Sequence, residues 1–352
     1  MKIGIYSDIL ENTATGVENY TKNLILNLKI RPIIIYSKEK IDLSIFKDFP
    51  KIHWKRKHFL GSTSFYAFFK PLRTNLDLVH CPTVSTPFFC KSKTKLILTV
   101  HDLIPLIFPQ YHNLRRNIYF RLFLKPALTR ADKIIAVSNN TKADLIKYFH
   151  LSEAKIKVIH LGVDNKFKPT INKEILIKYN LPTDYLLFVG TLEPRKNLER
   201  LIQAYNSLHI TQKLVIVGKK GWDYKKLLKH KNIQFTDYVE EKDLPAIYSQ
   251  AKLFIYPSLY EGFGLPVLEA MACGCPTITS NLSSLPEVAG DAALLIDPYS
   301  VQDIAWAINK LLNNSQLRLE LSRKGLIQSK KFTWKQCAAQ TYQLYQEILK
   351  DT

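Results

Sequence analysis

Two glutamates flank a glycine-rich loop in the segment from Glu261 to Glu269, which reads EGFGLPVLE. The loop follows an apolar run that predicts a strand, and Pro266 suits the first turn of a helix that Gly274 would end. Glycines let a backbone approach a ligand closely, and a helix N-terminus offers unpaired N–H groups to an anion. A carboxylate beside such a site can accept hydrogen bonds from sugar or ribose hydroxyls. The segment therefore predicts a site for a phosphate group and a sugar together.

A second segment, Gly190–Asn197, carries two adjacent cations. Arg195 and Lys196 stand at a turn between the predicted strand 185–189 and a helix that starts near Leu198. Cationic side chains at a strand-to-helix turn can neutralise a diphosphate. The alternative is a pair of solvated surface charges, which is the more common fate of a lysine.

His101 and Gly16 are the candidate site residues of the first half. His101 ends the apolar run 95–100, and ligands of parallel sheets bind at the carboxyl ends of the strands. Gly16 separates a predicted strand from a helix and could bring backbone N–H groups near a phosphate. Each signal is weak by itself, because a lone histidine is more often structural and a lone glycine turn is common.

Short apolar runs alternate with amphipathic helical stretches in both halves of the chain, which predicts parallel sheets built from βαβ units. The predicted strands of the first half are 2–7, 32–37, 77–81, 95–101, 133–138 and 155–163. Those of the second half are 185–191, 213–219, 233–239, 253–258, 277–280 and 293–297. A polar stretch, 164–182, separates the two sets. We therefore predict an α/β protein with two doubly wound domains, residues 1–164 and 165–332, followed by a last helix in 333–352.

The positive charge of the chain is concentrated in its first half. The net charge is +20, of which +14 falls in residues 1–164 and +6 in the remainder. Basic and aromatic residues are interleaved in Lys51–Arg73 and again in Arg115–Lys125. This pattern suits an anionic membrane surface, a nucleic acid, or a solvated basic surface around buried aromatic side chains.

The composition also bears on the cellular compartment of the protein and on whether it uses a metal ion. Five cysteines in 352 residues favour reduced thiols and a cytoplasmic protein over a disulfide framework. No apolar run approaches the roughly 18 to 20 residues of a membrane helix, and the N-terminus predicts a buried strand, not a signal peptide. The sequence contains no Asp-x-Asp pair, so we expect no catalytic metal and no cofactor.

Taken together, the segments resemble the retaining glycosyltransferases of family 4, especially the mannosyltransferase-like members that build bacterial surface polysaccharides. The resemblance covers nearly the whole chain and depends on Gly16, His101-Asp102-Leu103, Val137-Ser138, Gly162-Val163-Asp164, Glu193 to Asn197 and Glu261 to Glu269. The last of these segments is the most specific. The resemblance implies the GT-B fold, in which two Rossmann-like domains face each other and the C-terminal helix crosses back to the first domain.

The resemblance also implies roles. Lys196, helped by Arg195, would hold the donor diphosphate, Glu269 would bind the ribose hydroxyls, and His101 would contact the donor sugar. The implied donor-binding set is Gly16, Arg195, Lys196, Glu261, Gly262, Phe263, Gly264, Leu265 and Glu269. The implied catalytic set is His101, Lys196 and Glu261. The chain departs from many relatives in having Thr15-Gly16 where they have two glycines, and Thr191 where they have a basic residue.

We therefore predict a metal-independent, retaining hexosyltransferase with GDP-mannose as the favoured donor and a saccharide or lipid-linked saccharide as acceptor. The protein is expected in the cytoplasm, in peripheral contact with the anionic inner face of the cytoplasmic membrane, with no nucleic acid partner. The enzymatic alternatives are a UDP-sugar-dependent transferase and another GT-B activity, such as a sucrose-type synthase or a nucleotide-sugar epimerase. The non-enzymatic alternative is a basic nucleic-acid-binding protein, which would leave the loop between Glu261 and Glu269 without a role.

Overall fold

The computed structural model describes residues 1–7, 16–36, 43–53, 75–84, 93–111, 114–219, 233–236 and 238–350. The chain divides into two compact units, Met1–Gly162 with Trp334–Thr352, and Val163–Thr333. The division falls two residues before the boundary predicted from the sequence.

The first unit contains a parallel sheet of seven strands in the order β3-β2-β1-β4-β5-β6-β7. Its strands are β1 Ile3–Tyr6, β2 Ile33–Tyr36, β3 Lys51–His53, β4 Leu78–Cys81, β5 Lys95–Val100, β6 Lys133–Ala136 and β7 Ile156–Val158. The central strands are continuous apolar runs because helices cover both faces of such a sheet. Every residue of β4 is buried, as is almost every residue of β5.

The second unit contains a parallel sheet of six strands in the order β10-β9-β8-β11-β12-β13. Its strands are β8 Tyr185–Val189, β9 Lys213–Val217, β10 Ile233–Thr236, β11 Leu253–Tyr256, β12 Thr277–Ser280 and β13 Ala293–Ile296. In both sheets the strand order reverses in the middle, between β1 and β4 and between β8 and β11. This is the doubly wound topology, so the predicted α/β class with two Rossmann-like domains is confirmed.

Helices connect these strands. The α-helices of the described chain are α1 Gly16–Asn27, α2 Ile104–Ile107, α3 Leu114–Arg130, α4 Asn139–Phe149, α5 Lys173–Lys178, α6 Leu198–Asn206, α7 Leu244–Gln250, α8 Leu265–Ala272, α9 Leu285–Ala289, α10 Val301–Leu312, α11 Ser315–Ser329 and α12 Trp334–Lys350. Short 3₁₀ turns lie at Ser44–Phe46, Pro109–Tyr111, Glu153–Lys155 and Pro194–Lys196. The stretch 164–182, predicted to be a linker, contains α5.

Several predicted strands are too long at their carboxyl ends. Strands β5, β8 and β11 end at Val100, Val189 and Tyr256, where the sequence suggested one or two residues more. After β11 the loop residues Pro257 and Ser258 are still buried, whereas His101 after β5 and Gly190 after β8 are only partly buried. The sequence prediction missed β3, since three residues reading Lys-Ile-His are too short to show an alternating pattern.

The last helix, α12, packs on the first unit, as predicted. Its buried residues are Trp334, Cys337, Ala338, Thr341, Leu344, Tyr345 and Ile348, which recur at helical spacing. The ring of Trp334 lies 6.2 Å from the ring of Tyr20 in α1. The hydroxyl of Tyr345 lies 2.5 Å from Nδ1 of His80 in β4. The broad apolar face seen in the sequence is therefore covered by the first sheet and its first helix.

The two basic segments are described only in part. Residues 54–74, which hold most of the first basic and aromatic segment, lie outside the described residues. The second segment lies in helix α3. Within the described chain, we find no helix with the length and hydropathy needed to cross a bilayer.

Candidate active site

The predicted cations and the first glutamate meet at the middle of the second sheet. Lys196 lies in the 3₁₀ turn after β8, and Glu261 lies in the loop after β11. The strand order reverses between these two neighbouring strands, and ligands bind outside the carboxyl ends of strands at such a point. The topology thereby joins two side chains that are 65 positions apart in the sequence.

The turn that carries Lys196 depends on a close approach of two backbones. The Gly190 N–H donates to the Val217 carbonyl at 2.9 Å, and the Leu192 N–H donates to the Lys219 carbonyl at 3.1 Å. A Cβ on Gly218 would lie 1.9 Å from the Gly190 carbonyl oxygen, so a larger residue there would push the turn away. The end of β9 therefore fixes where the turn after β8 begins.

One oxygen of Glu261 organises the cluster. Its Oε1 accepts hydrogen bonds from Nη1 of Arg195 at 2.9 Å and Nζ of Lys196 at 2.7 Å. It also accepts from the hydroxyls of Tyr256 at 3.0 Å and Ser258 at 2.7 Å. Nζ of Lys196 donates to the Tyr256 hydroxyl as well and lies 4.8 Å from the centre of that ring. A single carboxylate oxygen thus gathers two cations and two hydroxyls.

Burial and charge oppose each other in this cluster. Burial raises the pKa of the Glu261 carboxyl, but the cations Arg195 and Lys196 outweigh it and lower that pKa to about 2. Burial and the neighbouring Arg195 lower the pKa of the Lys196 ammonium to about 8, although Glu261 acts in the opposite direction. Lys196 and Glu261 are only 6% and 7% exposed, so bulk salt screens the pair little. At neutral pH Glu261 is ionised, and most Lys196 side chains are protonated.

Tyr256 and Ser258 were not recognised from the sequence as site residues. Tyr256 is the last residue of β11, and Ser258 follows it by two positions, so both point to the same side of the chain. Both are fully buried. A buried serine just past the end of an apolar strand is the sequence signal that could have found this pair. Their hydroxyls hold the Glu261 carboxylate against the cations.

Arg195 is bound from several directions. Its Nε donates to Oε2 of Glu193 at 2.9 Å, and its Nη1 donates to the Tyr260 carbonyl at 3.1 Å as well as to Glu261. Two carboxylates therefore share the charge of Arg195. Among the described residues, Lys196 forms an ion pair with Glu261 alone, so its charge is the less compensated of the two.

The glycine-rich loop has the conformation that its sequence predicted. Gly264 precedes helix α8 with φ 108°, a region that favours glycine, and a Cβ there would lie 2.7 Å from Leu285. The hydroxyl of Ser284 donates to the carbonyls of Glu261 and Phe263 at 3.0 and 2.8 Å. Ser284 thus holds the backbone of the loop in place through both carbonyl groups. The aromatic ring of Phe263 packs against Phe332, so this residue can offer only its backbone to a ligand.

Glu269, the second glutamate of the segment, lies in α8 and is half-buried. Its Oε2 accepts a hydrogen bond from the Tyr248 hydroxyl at 3.0 Å. Burial raises the pKa of the Glu269 carboxyl to about 7, although the hydrogen bond from Tyr248 acts in the opposite direction. The two glutamates therefore differ: Glu261 is held ionised by two cations, while Glu269 changes charge near neutral pH.

His101 and Gly16 belong to the first unit. Gly16 is the first residue of α1, after β1, as its sequence position suggested. Nε2 of His101 donates to the Pro82 carbonyl at 2.9 Å, because a carbonyl can only accept. Burial lowers the pKa of His101, although Pro82 and Asp102 act in the opposite direction. The imidazole is therefore neutral near pH 7, with its proton on Nε2 and a lone pair on Nδ1.

The described residues contain no group of three or more histidine, cysteine, aspartate or glutamate side chains that could hold a metal ion. The cysteines that the structure describes, Cys81, Cys273, Cys275 and Cys337, are all buried thiols. In the described part of the second unit, the positive charges at the carboxyl ends of β8 and β11 come from Lys196 and Arg195.

Two family models match the chain, one for each half. The model described as Glycosyltransferase Family 4 matches residues 14–167, and the model described as Glycosyl transferases group 1 matches residues 172–327. The first match contains Gly16 and His101. The second contains Lys196, Glu261 and Glu269.

Two relatives named as mannosyltransferases match the chain over about two thirds of its length. The chain is 36% identical over 266 residues to O-antigen chain mannosyltransferase B of Escherichia coli, a match that covers 71% of this chain and 70% of that protein. It is 35% identical over 261 residues to the serotype-specific mannosyltransferase WbdA of the same species. That match covers 68% of this chain but only 32% of WbdA, so the chain spans about a third of that larger relative.

Solved structures support the fold independently of sequence. Sucrose-phosphate synthase from Thermosynechococcus elongatus superposes with a TM-score of 0.78 over 100% of both chains, at 19% identity. Similarity at this level of identity shows a shared fold. The family models, the 36% identical relative and the two Rossmann-like sheets agree with the family predicted from the sequence motifs. The chain therefore belongs to the family 4 glycosyltransferases of the GT-B fold.

Proposed function

We propose that this enzyme transfers mannose from GDP-mannose to a saccharide or lipid-linked saccharide acceptor, with retention of the anomeric configuration and without a metal ion. The observation that carries the proposal is the cluster of Lys196, Arg195 and Glu261 at the switch point of the second sheet, beside the N-terminus of α8. The choice of mannose is supported by the names of the relatives, which are mannosyltransferases.

The cluster suits a leaving diphosphate. Cleavage of the anomeric C–O bond leaves positive charge on the sugar and negative charge on the diphosphate, and fixed cations and N–H dipoles stabilise the latter. We assign the diphosphate to Lys196 and to the N-terminus of α8. Arg195 holds the Glu261 carboxylate in place by a hydrogen bond. Oε1 of this carboxylate already accepts four hydrogen bonds. We assign Oε2 of the same carboxylate to a hydroxyl of the donor sugar.

The reaction with retention needs no carboxylate nucleophile. The acceptor oxygen forms its bond to the anomeric carbon on the face from which the diphosphate departs, and the acceptor proton passes to an oxygen of the departing phosphate. We assign His101 to the donor sugar and Gly16 to the diphosphate, as the family resemblance implies. The neutral His101 imidazole offers Nδ1 as an acceptor for a sugar hydroxyl.

The donor assignment can be tested by measuring nucleotide release. We expect GDP-mannose to raise the melting temperature more than UDP-glucose or UDP-galactose does, and to release GDP only when a saccharide acceptor with a hydrophobic aglycone is present. The one-bond carbon–proton coupling at the new anomeric centre should report the α configuration of the donor. Release of UDP from a UDP-sugar would contradict the assignment of GDP-mannose as the donor. Conversion of one nucleotide sugar into another in the absence of acceptor would indicate an epimerase.

Metal independence gives a second expected result. Because Lys196 and Arg195 supply positive charge at the proposed diphosphate site, turnover should be unchanged after excess EDTA and should not rise when Mg²⁺ or Mn²⁺ is added. The measurement is the initial rate of GDP release before and after chelation. Complete loss of activity that Mn²⁺ restores would show that a cation outside the protein neutralises the diphosphate.

We assign Glu269 to the ribose hydroxyls, and its raised pKa makes this assignment testable. The ionised carboxylate accepts hydroxyl hydrogens more strongly than the neutral acid. Since burial raises the pKa of Glu269 to about 7, kcat/KM for the donor should increase as the pH rises through about 7. Glu269→Gln should abolish this increase and lower the plateau roughly tenfold. Persistence of the increase in the variant would assign it to another group.

We also propose peripheral binding to an anionic membrane through helix α3. The helix sequence Leu114–Arg130 contains five basic residues and no acidic one. Leu122 is 61% exposed, and Lys125 on the same helix is also exposed. A basic helix with an exposed leucine suits an anionic lipid surface, where each basic residue contributes roughly 1 kcal/mol.

Vesicle flotation decides this proposal. Binding should require phosphatidylglycerol in phosphatidylcholine vesicles, weaken with added salt, and fall in a Leu122→Ser/Lys125→Glu variant. The matched control is Leu26→Ser/Lys29→Glu, which changes an exposed leucine in the last turn of α1 and an exposed lysine two residues after that helix, in the same unit. Equal loss in both variants, or equal binding to neutral vesicles, would contradict a role for α3.

A further inference from the structure

A cluster of polar side chains lies in the core of the first unit, beneath the last helix. We call Tyr20, His80, Thr99 and Tyr345 the buried polar cluster. The four residues come from α1, β4, β5 and α12, and all are fully buried. Residues His80 and Tyr345 are 265 positions apart in the sequence. The cluster therefore joins the last helix of the chain to the middle of the first sheet.

Hydrogen bonds run continuously through the buried polar cluster. The Thr99 hydroxyl lies 2.9 Å from the Tyr20 hydroxyl and 2.7 Å from Nε2 of His80. The other ring nitrogen of His80, Nδ1, lies 2.5 Å from the Tyr345 hydroxyl. Burial, followed by the nearby His101, lowers the pKa of His80 to about 3, so its ring is neutral and has one donor and one acceptor nitrogen. Because one ring nitrogen donates and the other accepts, the hydrogen bonds of all four residues must point in the same direction along the chain from Tyr345 to Tyr20.

The hydrogen bonds of the buried polar cluster hold each of its side chains in one orientation. An unpaired polar group in an apolar core costs roughly 1 to 3 kcal/mol, so each member is strongly favoured in the one orientation that satisfies its partners. Thr99 is the central member, because its single hydroxyl serves both Tyr20 and His80. Removal of that hydroxyl would leave two buried polar groups without this partner.

The cluster touches the candidate site through Tyr20. The rings of Tyr20 and His101 are 4.9 Å apart at an angle of 78°, an edge-to-face contact. Thr99 precedes His101 by two positions, so the strand that carries the central hydroxyl also leads directly to the site histidine. On its other side, the His101 ring is anchored through Nε2 to the Pro82 carbonyl. Tyr20 is thus the packing contact that opposes rotation of the imidazole away from that anchor.

We propose that the buried polar cluster is a positioning device for His101, in which Thr99 orients Tyr20, Tyr20 orients the imidazole, and the last helix sets the arrangement through Tyr345 and His80. The members of the cluster are positioning residues and do not touch substrate. The effect on turnover rests on the proposed role of His101 in the transferase, whereas the effect on the imidazole does not.

The test replaces Thr99 with an isosteric residue. Thr99→Val removes the central hydroxyl and keeps the shape, and Thr99→Ser keeps the hydroxyl. The matched control is Thr94→Val, just before the same strand, where a buried threonine hydroxyl donates to the Leu76 carbonyl at 3.0 Å. Thr99→Val loses two buried hydrogen bonds and Thr94→Val loses one in the same unit, so both variants should have a lower melting temperature.

We expect Thr99→Val to lower kcat about tenfold with less than about twofold change in KM for GDP-mannose, because a misplaced catalytic group affects the reaction more than ground-state binding. Thr99→Ser should restore kcat, and Thr94→Val should leave it unchanged. Tyr345→Phe should shift kcat in the same direction as Thr99→Val by a smaller factor.

A second readout is independent of activity. In ¹⁵N-histidine spectra of the full chain, the His101 imidazole signal, assigned by its absence in His101→Gln, should report the Nε2–H tautomer in the wild type. It should move in Thr99→Val but not in Thr94→Val. Equal kcat values and identical His101 signals in the two valine variants would overturn the proposal. A moved signal with unchanged kcat would uphold the positioning of the ring and contradict the catalytic role of His101.

Discussion

Lys196→Met should lower kcat/KM for the sugar donor about 10²- to 10³-fold, mostly through kcat. Methionine keeps the length and the buried packing of the lysine side chain but removes the charge that the leaving diphosphate needs. Loss of one such preorganised group typically costs about 3 to 4 kcal/mol of transition-state stabilisation. The measurement is the initial rate of GDP release in the presence of acceptor.

The control for this variant is Lys178→Met. Lys178 is also paired with carboxylates, Glu240 and Asp243, but its side chain is half-exposed and none of these three residues is assigned to the donor. Its replacement should leave kcat/KM near the wild-type value. Near-wild-type turnover in Lys196→Met would remove Lys196 from the site and with it the assignment of the diphosphate.

Glu261→Gln should reduce both stability and the pH range of activity. The neutral amide leaves Arg195 and Lys196 buried without the charge of Glu261, and breaking a buried ion pair in this way typically costs roughly 3 to 5 kcal/mol. In the wild type, Glu261 raises the pKa of Lys196, whereas burial and Arg195 lower it. Without Glu261 the lysine should lose its proton at lower pH, so the alkaline decline of kcat/KM should move below about 8.

GDP should partly reverse the loss of stability. The diphosphate brings negative charge to the cations, so GDP should raise the melting temperature of Glu261→Gln more than that of the wild type. Glu193→Gln is the matched control, because Glu193 forms an ion pair with Arg195 alone among the described cations. If both variants show the same melting temperature and the same pH profile, Glu261 does not have the central role described above.

The sequence predicted the fold and the positions of the strand-to-helix loops that carry the candidate side chains. The glycine-rich loop and the helix after it could be predicted because Gly264 and Pro266 have strong local conformational preferences. The apolar runs were enough to predict two parallel sheets, since central strands of such sheets are buried on both faces. Local chemistry thus predicted both the elements and the loops that carry the candidate side chains.

The pairings between those side chains could not be predicted from the sequence. The contact of Lys196 with Glu261 exists because β8 and β11 are neighbours, and strand order depends on the whole chain. The same limit applies to His80 and Tyr345, whose contact requires the last helix to return to the first unit. Ser258 was predicted only as the last residue of a strand, and its hydrogen bond to Glu261 depends on the path of the loop after β11.

The measurement that tests the central claim most directly is calorimetric binding of GDP and GMP to the wild-type chain and to Lys196→Met. The two nucleotides share the base and the ribose and differ by the phosphate that the cation cluster is proposed to hold. The wild type should bind GDP at least about tenfold more tightly than GMP, a preference of about 1.4 kcal/mol. In Lys196→Met the two nucleotides should bind with nearly equal affinity, while GMP affinity stays close to the wild-type value. An unchanged preference for GDP in the variant would contradict the account.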